Sequence, residues 1–97
     1  MLDFYLIADS KRNLELHKLE KLDYAGGMES DVFERLVRKK IIDSRFKFDS
    51  DFRWSHAFME QIESKIKEFD VDSDIRILKR ILEKAIKAKS GLIAYGD

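Results

Sequence analysis

The 97-residue chain has no cysteine, no proline, no threonine and only four glycines. Without cysteine it can form no disulfide, no thiolate nucleophile and no cysteine-ligated zinc site, and a reducing cytoplasm is the natural setting for such a chain. Without proline and with so little glycine, its elements are expected to be tightly connected, with no long linker. No apolar run approaches the roughly 20 residues that would cross a bilayer. The N-terminal apolar run is not preceded by a basic region and is broken at Asp3, so it does not read as a signal peptide. The formal net charge is zero, and overall electrostatics therefore select no partner.

Hydrophobic residues make up 44% of the sequence and aromatics 11%, enough for one bulky core. The length matches a single domain over 1–97. A chain of this size buries only about 60–65% of its unfolded surface, so marginal stability is expected. Charge is distributed in blocks. Residues 1–34 carry about four more acids than bases, 35–54 about four more bases, 55–74 about four more acids and 75–97 about four more bases. Such blocks either neutralise one another in the fold or give the surface a dipole.

Both ends read as strands. Leu2, Phe4 and Leu6 alternate with Tyr5 and Ile7, and both faces are apolar after Asp3, as in a covered strand. Gly91-Leu92-Ile93-Ala94-Tyr95-Gly96 closes the chain, and β structure at both termini predicts a complete domain. Asp9 to Asn13 is polar and turn-forming. Leu14, Leu16, Leu19 and Leu22 fit neither period, leaving a short strand or an irregular segment, and Gly26-Gly27 ends this region.

Three segments have helical periodicity. The first, over about 31–41, takes Ser30 as N-cap and places Val32, Phe33, Leu36, Val37 and Ile41 on one face, with Glu34, Arg35 and Arg38 facing away. The second, over about 56–69, starts at Ser55, with Trp54 and Met59 at the positions of a hydrophobic staple and Phe58, Ile62, Ile66 and Phe69 as its stripe. The third, over about 73–89, starts near Asp72 or Ser73, and Ile75, Ile77, Leu78, Ile81, Leu82, Ala85 and Ala88 cover nearly half its circumference. Between the first two, Arg45-Phe46-Lys47-Phe48 and Phe52-Arg53-Trp54 flank a turn-forming Asp49-Ser50-Asp51, as a hairpin or an aromatic-anchored loop. The expected fold is α+β: a small sheet including both terminal strands, packed against about three helices.

No complete catalytic signature is present. Asp70-Val71-Asp72-Ser73-Asp74 opens like a calcium loop, but Ile75 and Ile81 stand where such a loop needs its glycine and bidentate glutamate. Acids there are better explained as a helix cap. His17 and His56 lie far apart in sequence, with no ligand-like spacing. Ser55-His56 supplies no third, orienting group. Gly26-Gly27 fits neither phosphate-loop pattern. The chain is therefore expected not to be an enzyme and to need no metal or cofactor.

Two interaction signals remain. The third helix places Arg76, Lys79, Arg80, Lys84 and Lys87 on one face with Glu83 as the sole acid, and Arg45, Lys47, Arg53 and Trp54 lie in the aromatic-basic segment 45–54. The expectation is a small soluble cytoplasmic protein acting by protein–protein interaction, an adaptor or an inhibitor of the immunity-protein kind. Its partner would be another protein or a second copy of itself, with no membrane involved. A C-terminal strand left at a sheet edge would offer one docking site, whereas pairing with the N-terminal strand under the third helix would remove it. The alternative is a weak or accessory nucleic-acid binder that combines the basic face of 73–89 with base stacking by 45–54.

Overall fold

A computed structural model describes residues 1–8 and 23–96. The 9–13 turn and the segment of Leu14, Leu16, Leu19 and Leu22 lie outside the described residues. The elements are β1 (Leu2–Ile7), β2 (Tyr24–Met28), α1 (Ser30–Arg38), β3 (Phe52–Trp54), α2 (His56–Ile66), α3 (Ser73–Lys87) and β4 (Gly91–Tyr95). The strands form one sheet in the order β2-β1-β4-β3, with every neighbouring pair antiparallel. Among the described residues the fold is thus α+β, with both terminal strands at the centre of the sheet and three helices against it.

Pairing of Phe4 with Ala94 and of Trp54 with Leu92 sets one face of the sheet. That face, with Leu2 and Met28, joins Leu36, Met59, Ile62, Leu78 and Leu82 in a single buried core. The opposite face carries Tyr5, whose ring meets those of Tyr24 and Tyr95 at 5.4 and 6.1 Å. Because β4 lies between β1 and β3, the C-terminal strand is not an edge open to a partner. Among the described residues the edges are β2 and the three-residue β3.

β2 was not anticipated, because Gly26-Gly27 reads as a break. The glycines instead lie inside the strand, opposite Phe4 and Asp3. Gly26 has φ +149°, and a Cβ there would stand 2.9 Å from Ile81 Cγ1. Glycine thus lets β2 lie directly beneath α3.

The helix ends differ from the sequence expectation for a common reason. α1 stops at Arg38 and α3 at Lys87, each followed by a lysine in the left-handed region, Lys40 at φ 63° and Lys89 at φ 56°. The Ile41 and Lys40 N–H groups donate to Leu36 and Val37 carbonyls, and those of Ser90 and Lys89 to Ala85 and Ile86 carbonyls. Both ends are therefore Schellman closures with lysine where glycine is usual. At the start of α1, Glu29 is the N-cap without a side-chain bond, and Ser30 is the first helical residue. α2 begins as expected, with Ser55 Oγ accepting from the Phe58 N–H at 3.1 Å. It ends at Ile66, which leaves Phe69 outside the helix.

Candidate interaction face on the third helix

α3 is oriented by its start. Asp72 Oδ1 accepts from the Ile75 N–H at 2.9 Å and caps the helix. The other Asp72 oxygen pairs with Lys39 Nζ, just beyond α1. Two residues on, Asp74 is only 6% exposed and receives the Arg35 guanidinium through two bonds, Nε to Oδ2 at 2.7 Å and Nη2 to Oδ1 at 2.9 Å. The bond from Lys39 holds the Asp72 carboxyl below its ordinary pKa, and the fork from Arg35 does the same for Asp74. The acids of 70–74 therefore act as a helix cap and as a clamp between α1 and α3. Arg35, expected opposite the apolar face of α1, is exposed there and is one jaw of that clamp.

With its start fixed in this way, α3 buries Ile75, Leu78, Ile81, Leu82 and Ala85, leaves Ile77 half-buried and leaves Ala88 exposed. The opposite side presents Arg76, Lys79, Arg80, Lys84 and Lys87, all exposed, with Glu83 among them. At 100° per residue these five cations occupy one arc, and from Arg76 to Lys87 they extend along about 16 Å of helix. None of the five makes an ion pair with a described residue. On α1 and beyond it, by contrast, Arg35, Arg38 and Lys39 all have carboxylate partners.

The aromatic-basic segment is organised differently. It forms no hairpin: only Phe52–Trp54 is strand, paired with β4, and turns precede it. Trp54, expected as a contact residue, is 1% exposed. Its ring lies 5.5 Å from that of Phe4 and 5.8 Å from that of Phe58, inside the core. Its Nε1–H is buried without an acceptor among the described residues. Phe46 and Phe52 are half-buried against the same cluster, 5.0 Å apart. The Arg45 guanidinium lies over the Phe46 ring at 4.8 Å and the Phe58 ring at 5.5 Å. Arg53 Nη2 donates to the Ala8 carbonyl at 2.7 Å. Lys47 is exposed and lines a cleft beside α1 with Phe46 and Phe48. α3 packs over β2, β1 and β4, whereas 45–54 lies with β3 at the far edge of the sheet. The structure thus brings the five α3 cations together but does not join them to Arg45, Lys47, Arg53 and Trp54.

His56 is half-buried at the start of α2, with Nε2 3.2 Å from Glu60 Oε1 and Nδ1 3.3 Å from the Ser90 carbonyl. Sequence reasoning missed one feature near α3, a cleft of about 390 Å³ where α2 gives way to the turn before α3. Placing Phe69 inside the helix hid it. No helix among the described residues is long and apolar enough to cross a membrane. No family model, curated protein or solved structure matches this chain.

Proposed function

We propose that this is a small non-enzymatic protein that works by binding another protein, through the outer face of α3 and toward an acidic surface. The observation that carries this reading is the set of five exposed cations on one helix face, none paired to a described carboxylate. Desolvating a charge already paired within the fold gains little, whereas unpaired cations are available to steer and hold an acidic partner. An adaptor or inhibitor role in the cytoplasm is part of the proposal.

The second reading, nucleic-acid binding, keeps the same cations, since an arc about 16 Å long can track phosphates. It loses the stacking contribution, because Trp54 is buried and Phe46 and Phe52 pack into the core. A neutral chain with pI about 6.7 is also a poor match to a dedicated nucleic-acid domain.

The test is affinity capture from native lysate by tagged wild-type protein and by the Arg80→Glu/Lys84→Glu variant, with and without nuclease. The proposal expects a partner retained after nuclease and lost from the variant while the variant remains folded. Capture that nuclease abolishes supports the second reading. Capture indifferent to the double substitution removes the α3 face from both.

A further inference from the structure

Four large apolar side chains are exposed among the described residues, Met1, Tyr24, Phe69 and Val71. Two of them stand together. Phe69 at 37% and Val71 at 53% exposure form the wall of the cleft of about 390 Å³, with Ile66 and Leu82 lining it from α2 and α3. Its charged lining is Lys67, Lys79 and Glu63. Glu68 and Asp70 belong to the same turn but do not line it.

Lys79 connects this cleft to the face described above. On α3, Leu82 lies about 60° to one side of Lys79, toward the cleft, and Arg76 lies about 60° to the other side. Arg80 follows at about 100°, so apolar lining, Lys79 and basic face succeed one another around a single helix. An apolar centre beside a charged margin is the composition of a protein-binding patch, and a pocket that takes one large side chain is where binding energy concentrates. The cleft itself carries Lys67 and Lys79 against Glu63, and the adjoining face of α3 adds Arg76, Arg80, Lys84 and Lys87 against Glu83, so positive charge prevails along the helix even with Glu68 and Asp70 on the turn.

We infer that the α2–α3 cleft and the adjoining basic face of α3 form one binding groove for an acidic segment of a partner protein, with a large apolar anchor in the cleft and flanking carboxylates along α3. This rests on the proposal that α3 binds an acidic protein surface, and it adds the anchor and the site where it docks.

The groove can be probed with a phage-displayed library of random peptides selected on the wild-type protein. The enriched consensus is then synthesised with a fluorescein label and titrated by anisotropy against wild type, Val71→Glu and Arg80→Glu/Lys84→Glu. All three substituted positions are exposed, and a thermal melt checks that each variant is folded. The expected result is a consensus with a large apolar residue flanked by Asp or Glu, weakened about tenfold or more by either variant, the loss expected for a central contact. Acidic peptides weakened by Arg80→Glu/Lys84→Glu but not by Val71→Glu would overturn the cleft and leave the α3 reading standing. Apolar peptides without acids, weakened only by Val71→Glu, would overturn the acidic segment as the occupant. No enrichment, or binding indifferent to both variants, would overturn the groove, and the α3 reading would then stand or fall on the capture experiment alone.

Discussion

The clamp between α1 and α3 makes a strong demand on Arg35→Ala. Asp74 is buried, and its carboxylate takes both of its side-chain bonds from one guanidinium, at 2.7 and 2.9 Å. Removing one partner of a fully buried ion pair costs about 3–5 kcal/mol. Two features lower that figure here. The Arg35 side chain is itself 44% exposed, so part of its interaction is screened. Asp74 also lies in the first turn of α3, where the helix dipole still favours a carboxylate by about 0.3–1 kcal/mol. The expected loss is about 2–3 kcal/mol, or a fall in Tm of about 10 °C or more for a domain of this size. Arg35 holds the folded Asp74 carboxyl below its ordinary pKa, and Lys39 does the same for Asp72. The unfolded chain, with carboxyl pKa near 3.9, therefore binds more protons as pH falls toward that value. The stability these pairs contribute is present above about pH 4 and is lost as pH falls through the folded values. Chemical denaturation of wild type and Arg35→Ala from pH 7 to pH 3 should show a gap that narrows on the acid side. A variant within about one degree of wild type at pH 7, or a gap that does not change with pH, would refute the clamp.

Leu82 is 1% exposed where α3 meets α2, so Leu82→Ala should cost about 2–5 kcal/mol in urea denaturation, and an unchanged midpoint would put the buried face of α3 elsewhere. Gly26→Ala must accommodate a methyl group 2.9 Å from Ile81 Cγ1 at φ +149°; a loss of about 1–3 kcal/mol is expected, and a neutral variant would mean that β2 does not lie so close under α3. Lys89 occupies the left-handed region at φ 56°, so Lys89→Gly should raise stability by about 0.5–1 kcal/mol; a lower Tm would contradict the Schellman closure of α3.

The layered architecture was legible because its signals are periodic. The alternation of Leu2, Phe4 and Leu6 and the stripe of Ile75, Leu78, Ile81 and Leu82 need only the geometry of strand and helix to be read. Ser55 was legible as a cap, and Asp72 as one of two candidates beside Ser73, because their short oxygens reach the N–H groups of Phe58 and Ile75. What failed depended on backbone conformations adopted by unexpected residues. The helical periodicity runs on past Arg38 and Lys87 because lysine in the left-handed region gives no sequence cue, whereas glycine would. β2 was lost because a Gly-Gly pair usually interrupts a strand, and here it is kept by the approach of Ile81, a contact distant in sequence. The same limit applied to the aromatic segment. Whether Trp54 faces solvent or core depends on its pairing with Leu92, which no local pattern contains.

The charge blocks show how this limit bears on function. Two of them cancel at the α1–α3 junction: Arg35 and Lys39, from the basic block, pair with Asp74 and Asp72, from the acidic block that follows. The last basic block has no such counterpart among the described residues, because α3 turns its apolar half toward β1, β2 and β4 and directs Arg76, Lys79, Arg80, Lys84 and Lys87 outward. The clamp and the exposed face belong to one helix, whose rotation is set by burial of Ile75, Leu78, Ile81, Leu82 and Ala85 and reinforced at its start by the bonds to Asp72 and Asp74. A perturbation that loosens the clamp should therefore also disturb the face. Arg35 lies on a different helix from the five cations and is already committed to Asp74, so it is a poor direct contact for a partner. If Arg35→Ala weakens capture of an acidic partner by more than its unfolded fraction explains, the rotation of α3 matters to binding. If capture falls only in proportion to the folded protein, the face acts as a set of independent charges, and the clamp contributes stability alone.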